Sequence, residues 1–149
     1  MLWVLLTTNF TMKTVFYKTF IKNLLTQEIN INTDSFRLIL LKPDYVFNTT
    51  EESYDDIKAY EVSDQDTGYT RGGKNISLRM VSSPDDKFIY VTGNNVSWDD
   101  FSSVFRYAVL CKENGNLLCC IDFENSNIVD KAQLSIEWSV SGIFRFNLE

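Results

Sequence analysis

The sequence predicts a mainly β protein: a single-domain antiparallel β-sandwich or flattened barrel with one N-terminal helix and a short acidic surface helix. Three observations predict it. From about residue 68 onward, short apolar runs alternate with turn residues. An Asn-Gly pair lies between two of the strongest runs. A wide apolar stripe with helical spacing lies near the N-terminus. The length of 149 residues fits one domain, which we expect at 16–149 after a leader or extra segment at 1–15.

Two segments have helical patterns. In the first, apolar residues recur at intervals of four along two adjacent ridges, which predicts a helix covering a sheet edge or barrel end. The ridges are Phe16, Phe20 and Leu24, and Tyr17, Ile21 and Leu25. In the second, residues 48–61, Thr50 is the expected N-cap before a turn of acidic residues.

The other apolar runs predict strands. Residues 35–41 read as a buried strand that ends at a Lys-Pro-Asp turn. Residues 75–81 alternate, which puts Ile76, Leu78 and Met80 on one face. Further strands are expected at 88–91 and 96–98, each after a turn rich in Asp, Asn or Gly.

The strongest local signal is a hairpin between residues 105–111 and 117–123. We expect Asn114-Gly115 to form a two-residue type I′ turn. That register places Cys111 and Cys120 on one face, with Cα atoms about 7–8 Å apart, which exceeds the usual reach of a disulfide. Cys119 then points to the opposite face beside Leu110. We expect all three cysteines to be small buried residues.

The C-terminal part completes the predicted sheets. Residues 134–138 alternate, and Gly142 turns the chain into a last strand at 143–146. Trp98, Trp138 and Phe144 lie on these strand-like stretches. We interpret them as core anchors rather than as platforms for a ligand.

Residues 68–74 match G-x-x-x-x-G-K, the beginning of a phosphate-binding loop. The next position should be Ser or Thr, and here it is Asn75. The loop should also lead into a helix, whereas strand alternation follows. We therefore predict a structural turn that enters a strand, formed by Gly68, Tyr69, Gly72 and Gly73.

Composition and charge exclude several functions. The formal net charge of −6 disfavours nucleic acid as a partner. The absence of histidine removes Ser-His-Asp and Cys-His pairs and most catalytic zinc sites. The first apolar run ends before the first basic residue, Lys13, unlike a signal peptide, and no run approaches the length of a membrane helix. We expect a soluble, unsecreted protein with free thiols, no membrane partner and Met12 as a second plausible start.

The acidic residues offer two weaker hypotheses. Residues 64–68 lack the glycine and glutamate that an EF-hand loop needs, which leaves only a looser calcium site at Asp64 and Asp66. Adjacent acidic pairs occur at 51–52, 55–56, 85–86 and 99–100. A small hydrolase would need two carboxyl groups that face each other across a cleft. We read these pairs as surface acids and expect no catalytic residue, metal or cofactor.

Several stretches together resemble a known family. They are AYEVSDQDTGYTRGGKNI, with Tyr60-Glu61-Val62 and a GYTxGG turn, then VSWDDFSSVFRYAVLC and LLCCIDF, and the closing LSIEWSVSGIFRFNL with W-x-x-x-G-I-F. The similarity begins at NLLTQEININTDSFRLILL and covers roughly residues 16–148. In these motifs the chain resembles small virion structural proteins of tailed bacteriophages, of the head-decoration, fibre or minor tail type. Cys111, where an aromatic residue is expected, and the Cys119-Cys120 pair depart from the family pattern and bear on local packing.

The resemblance implies a non-enzymatic component of the virion, assembled in the host cytoplasm. Its expected partners are other capsid or tail proteins, and it is a possible homo-oligomer. Strand edges and the loops around residues 45–60 are the expected contacts. The alternative is a receptor- or carbohydrate-binding module on the particle surface, in which exposed Trp, Tyr and Asp would line a shallow site.

Overall fold

A computed structural model describes the backbone of residues 3–7 and the whole of residues 13–148. The expected second start at Met12 lies outside this part. The strands are β1 (Trp3–Thr7), β2 (Lys13–Phe16), β3 (Phe36–Leu41), β4 (Lys74–Ile76), β5 (Leu78–Ser82), β6 (Phe88–Gly93), β7 (Val96–Lys112), β8 (Leu117–Glu137) and β9 (Phe144–Asn147). The helices are α1 (Lys18–Leu25) and α2 (Tyr54–Ile57), and a 3₁₀ turn (Lys58–Tyr60) follows α2.

The strands form two sheets that pack against each other. The larger sheet has the order β1-β8-β7-β3-β4, and β2 also pairs with β8. The smaller sheet has the order β5-β6-β9. Neighbouring strands are antiparallel, except that β1 runs parallel to β8. The described sheets do not close into a barrel, so the predicted β-sandwich is confirmed.

Strand β3, which lies between β7 and β4, is buried on both faces, which explains its nearly continuous apolar sequence. Leu38 and Leu40 point into the core that includes residues of the smaller sheet. Ile39 and Leu41 point the other way, into a second core covered by Tyr45 and other residues of the loop before α2. The larger sheet is therefore the middle layer of the molecule, and its second face depends on a loop for cover.

The first predicted helix is shorter than its apolar pattern suggests. Phe16 belongs to β2, where it pairs with Cys119, and α1 begins only at Lys18. Phe20 is fully buried, but Leu25 is 78% exposed and Ile21 is 40% exposed. The ridge of Phe16, Phe20 and Leu24 packs against the first core, whereas the second ridge packs only through Tyr17.

The short acidic helix begins three residues later than predicted. Its N-cap is Ser53, and the Asp56 carboxylate accepts the Ser53 backbone N–H at 3.1 Å in the manner of a capping box. Thr50 instead donates its hydroxyl to Asn48 Oδ1 at 2.7 Å, within a separate turn.

The predicted strand at 75–81 is divided between the two sheets. β4 pairs with β3 in the larger sheet, whereas β5 pairs with β6 in the smaller sheet. The break falls at Ser77, whose backbone N–H donates to Asn94 Oδ1 at 2.8 Å. Met80 keeps the predicted alternation with Leu78 within β5, but it is 47% exposed, whereas Ile76 and Leu78 are buried.

The predicted hairpin forms, but with a different turn. The Gly115 N–H donates to the Lys112 carbonyl at 2.7 Å, and among the loop residues only Gly115 has a positive φ, of 102°. This geometry is a three-residue loop with a glycine bulge, which needs one left-handed residue instead of two. This turn shifts the register only at the loop end of the hairpin. There Cys111 lies opposite Leu117, while Leu110 pairs with Cys119 as predicted.

The packing of α1 gives a paired prediction about stability. We expect Phe20→Ala to lower the free energy of unfolding by about 3–5 kcal/mol, because a fully buried aromatic ring is removed. Leu25→Ala, on the same helix but exposed, should change it by less than about 0.5 kcal/mol. Urea unfolding followed by circular dichroism measures both. Equal losses in the two variants would contradict the orientation of α1.

Candidate functional site

A buried carboxylate, Glu61, organises the region where the Tyr60-Glu61-Val62 stretch meets the GYTxGG turn. Glu61 is only 2% exposed. Tyr54 Oη donates to Glu61 Oε1, and Tyr69 Oη donates to Oε2 at 2.5 Å. The Gly72 backbone N–H also donates to Oε2, at 2.8 Å, and Arg71 Nε lies 3.6 Å from Oε1. Both oxygens of the carboxylate are therefore compensated by internal partners.

The two phenols of this network remain protonated at neutral pH. Burial, together with the hydrogen bond to Glu61, raises the pKa of Tyr54 to about 12. Burial and the nearby Glu61 carboxylate also raise the pKa of Tyr69. The Tyr69 hydroxyl accepts the Leu40 backbone N–H at 3.2 Å while it donates to Glu61. The network therefore ties the loop that carries Glu61 to β3.

The glycine-rich turn enters a strand, as the sequence predicts. Gly72 and Gly73 have φ values of +91° and +72°, and Lys74 begins β4. Arg37 on β3 holds the turn: its Nε donates to the Gly72 carbonyl at 2.5 Å, and its Nη2 to the Gly73 carbonyl at 3.4 Å. A Cβ added at Gly73 would lie 2.0 Å from the Leu38 carbonyl oxygen.

The other predicted turn and anchor residues have the following places. Gly68 and Gly142 are turn residues with positive φ, and Tyr69 is buried. Trp98 is buried in the core between the sheets, and Phe144 packs edge-on against Phe16 at 5.0 Å between ring centroids. Trp138 is half-buried, and its Nε1–H donates to the Asn94 carbonyl at 2.9 Å.

A second polar network fixes the loop before α2. The hydroxyls of Tyr17 and Tyr45 are 2.8 Å apart, and Tyr45 Oη donates to Glu51 Oε1 at 2.6 Å. Burial raises the pKa of both tyrosines. Tyr45 is therefore an internal support of this loop.

All three cysteines are buried free thiols. Cys111 and Cys120 lie in the second core and Cys119 in the first, which matches the predicted faces. Burial raises the pKa of Cys111 and of Cys120 to about 12, and it also raises the pKa of Cys119. Because the thiolate is the nucleophilic form, these groups are suited to packing rather than to covalent chemistry.

Three of the four acidic pairs include a carboxylate with a structural partner. Asp56 accepts two backbone N–H groups at the start of α2, and these bonds hold its pKa below the usual range. The hydrogen bond from Ser83 does the same for Asp85 in the turn before β6. Among the described residues, no three His, Cys, Asp or Glu side chains form a group that could hold a metal ion, including the loop of Asp64 and Asp66.

A cavity of about 340 Å³ opens beside the glycine turn. Ile39 and Cys111 are its most buried lining residues. Around them lie Tyr54 and the ion pair between Arg37 and Glu113, whose Nη1 and Oε1 atoms are 3.1 Å apart. The start of α2, the hairpin loop and the Gly72 turn thus meet at one place.

Sequence reasoning missed both this cavity and the role of Glu61. The residues of the cavity and the partners of Glu61 come from β3, α2, the glycine turn and the β7–β8 hairpin. No local sequence pattern connects these segments. One signal was present: Glu61 lies in a stretch between two tyrosines, Tyr54 and Tyr69, that approach it only in the fold.

Comparison of the chain with protein-family models, with curated proteins and with solved structures found no significant match. In the described residues, no helix is both long and apolar enough to cross a membrane. The fold alone defines the chain as a two-sheet β-sandwich protein.

The two neighbouring glycines of the turn give a matched test. Gly73→Ala should lower the free energy of unfolding by more than about 3 kcal/mol, because strain at positive φ adds to a clash with a backbone carbonyl. Gly72→Ala has space for its methyl group, so only about 1–2 kcal/mol of conformational strain is expected. Chemical denaturation compares the two. A larger loss at position 72 than at 73 would contradict the described turn.

The thiols give a second prediction. At pH 8, Ellman's reagent should label none of the three cysteines in the folded protein, because burial raises their pKa values and blocks access. The same reagent in denaturant should label all three. Rapid labelling of one thiol in the folded state would show that its burial is wrong.

Proposed function

We propose that the protein is a non-enzymatic structural component of a tailed-phage particle that binds other capsid or tail proteins. The supporting observation is that Glu61 and the three thiols, the described groups best suited to chemistry, have internal structural roles. The sequence resemblance gives the class of particle. The structure contributes the physical argument for binding rather than reaction.

Catalysis requires groups that can reach a substrate. A general acid or base must come within hydrogen-bond distance of the reacting atom. Both oxygens of Glu61 already accept bonds from Tyr54, Tyr69 and Gly72 inside the protein. Breaking this network would deprive the buried Glu61 carboxylate of several hydrogen bonds at once. The role of Glu61 is therefore to stabilise the fold.

The loop before α2 is the best-supported contact surface. Val46 is 80% exposed and follows directly after the buried Tyr45. The Tyr45 ring packs edge-on against Tyr60, at 5.5 Å between centroids, and its hydroxyl is fixed by Glu51. Exposed apolar and aromatic groups on a rigid support bind partners well, since little entropy is lost on binding.

The edge of β5 is a less suitable contact. The Met80 backbone N–H points away from β6 and donates to Asn32 Oδ1 at 3.1 Å. A side chain that occupies an edge donor hinders the addition of another strand. We therefore place the principal contact on the loop.

Particle composition tests the proposal directly. Mass spectrometry of particles purified from the phage that encodes this chain should detect it at a fixed copy number. A high copy number indicates shell decoration, and a small ring of copies indicates a neck or tail position. Absence from the particles would overturn the proposal.

A substitution tests the contact surface. Val46→Asp should reduce incorporation into particles about tenfold or more, because it puts a charge in an apolar contact. Val140→Asp, at a side chain that is 98% exposed on the turn before β9, is the matched control and should incorporate normally. If only the control fails to assemble, the contact lies elsewhere.

One observation favours a second function, a receptor- or carbohydrate-binding module on the particle surface. It is the cavity beside Arg37 and Tyr54, whose lining combines apolar and polar groups. The two functions are compatible, because the cavity and Val46 involve different residues.

A further inference from the structure

The walls of the cavity beside the glycine turn are fixed by backbone bonds. The Tyr54 N–H donates to the Gly115 carbonyl at 2.8 Å, and the Leu117 N–H donates to the Glu52 carbonyl at 3.1 Å. These bonds join the start of α2 to the end of the β7–β8 hairpin. The cavity is therefore formed before any ligand arrives, as in most small-molecule sites.

The inner surface of the cavity is apolar. Ile39 on β3 and Cys111 on β7 are nearly fully buried at its base. The Cys111 thiol stays protonated, because burial raises its pKa to about 12. Tyr54 also lines the cavity, and Gly72 and Gly115 add backbone without side chains. This surface suits the C–H groups of a ligand.

The mouth of the cavity is polar, with its charges already paired. Arg37 Nη1 donates to Glu113 Oε1 at 3.1 Å. Lys112 Nζ lies 3.2 Å from Asp34 Oδ2, and Lys58 Nζ lies 2.8 Å from Asp55 Oδ1.

A charged ligand would have to compete with one of these pairs, and Arg37 is held further by the Gly72 and Gly73 carbonyls. A hydroxyl group both donates and accepts, so it can bridge Arg37 and Glu113 without separating them. The pairing therefore favours a neutral, hydroxyl-rich ligand over an anion or a cation.

The size of the cavity limits the ligand further. Its volume of about 340 Å³ lies near the lower end of the roughly 300–1,000 Å³ range of ligand pockets, which corresponds to a single small ring. Building on the second function proposed above, a carbohydrate-binding module, we propose that this cavity binds one monosaccharide unit, either free or at the end of a glycan. Its C–H face would lie on Ile39, Cys111 and Tyr54, and its hydroxyls would meet Arg37, Glu113 and Asn114.

Titration of the full-length protein followed by ¹H–¹⁵N correlation spectra tests this proposal. The probes are the methyl glycosides of glucose, galactose, mannose, N-acetylglucosamine and rhamnose. At least one should cause saturable shifts of the backbone amides of Tyr54, Gly72, Asn114 and Gly115. If none of the five does so, or if the saturable shifts lie away from these amides, the proposal is overturned.

A matched pair of variants assigns the binding to the cavity. Glu113→Trp covers the mouth and should weaken binding about tenfold or more. Asp64→Trp places the same side chain on an exposed loop that does not line the cavity, and should leave the affinity unchanged. Glu113→Gln keeps the size of the residue but removes the charge, and should weaken binding less than Glu113→Trp. Equal losses at positions 113 and 64 would contradict the site.

Two further titrations distinguish the ligand chemistry and its source. Sodium acetate at matched ionic strength should not shift the cavity amides, and saturable shifts with acetate alone would show an anion site and overturn the proposal. Oligosaccharides that end in the binding sugar should bind at least as tightly as the methyl glycoside if the natural ligand is a glycan end. Weaker binding of the oligosaccharides would identify the free sugar as the ligand.

Discussion

The buried carboxylate of Glu61 is the interaction on which this region of the fold depends. Removing a charge from water costs several kcal/mol unless bonds replace its hydration. Here Tyr54 on α2 and, in the glycine-rich turn, Tyr69 and Gly72 supply those bonds. The segments must be in place together for the charge to be tolerated, so the network specifies their mutual position. The motif residues Glu61, Tyr69 and Gly72 thus have a structural explanation.

The need for such a network follows from the layers of the sandwich. β3 is buried on both faces, but only one of these faces packs toward the smaller sheet. The other is covered by a loop, which has backbone polar groups and fewer apolar side chains to contribute. The phenols of Tyr17 and Tyr45 combine apolar rings with hydroxyls that bond to each other and, through Tyr45, to the Glu51 carboxylate. They close a core that a loop could not close with apolar contacts alone.

The sequence correctly predicted the structural features that depend on local periodicity. The faces of Cys111, Cys119 and Cys120 follow from the two-residue period of a strand, and they hold although the predicted turn was wrong, because the different turn shifts only the end of the register. The switch of sheet at Ser77 depends on Asn94, and the exposure of Leu25 depends on how α1 packs in the tertiary structure. Neither has a local signal. Glu61 has only the two tyrosines on either side of it as a signal, because its partners are seven to eleven positions away in sequence and meet it only after folding.

The cavity and the buried carboxylate share structural parts. Tyr54 contributes to the cavity lining and donates to Glu61, and Gly72 lines the cavity while its N–H binds the same carboxylate. The interactions that stabilise the fold therefore also fix the cavity walls. The protein would thus lose little further conformational entropy when a ligand binds. The residues that confer this rigidity cannot be changed without affecting the fold. If the cavity binds the proposed ligand, variation in ligand preference is thus expected at the exposed mouth, at Glu113 and Asn114.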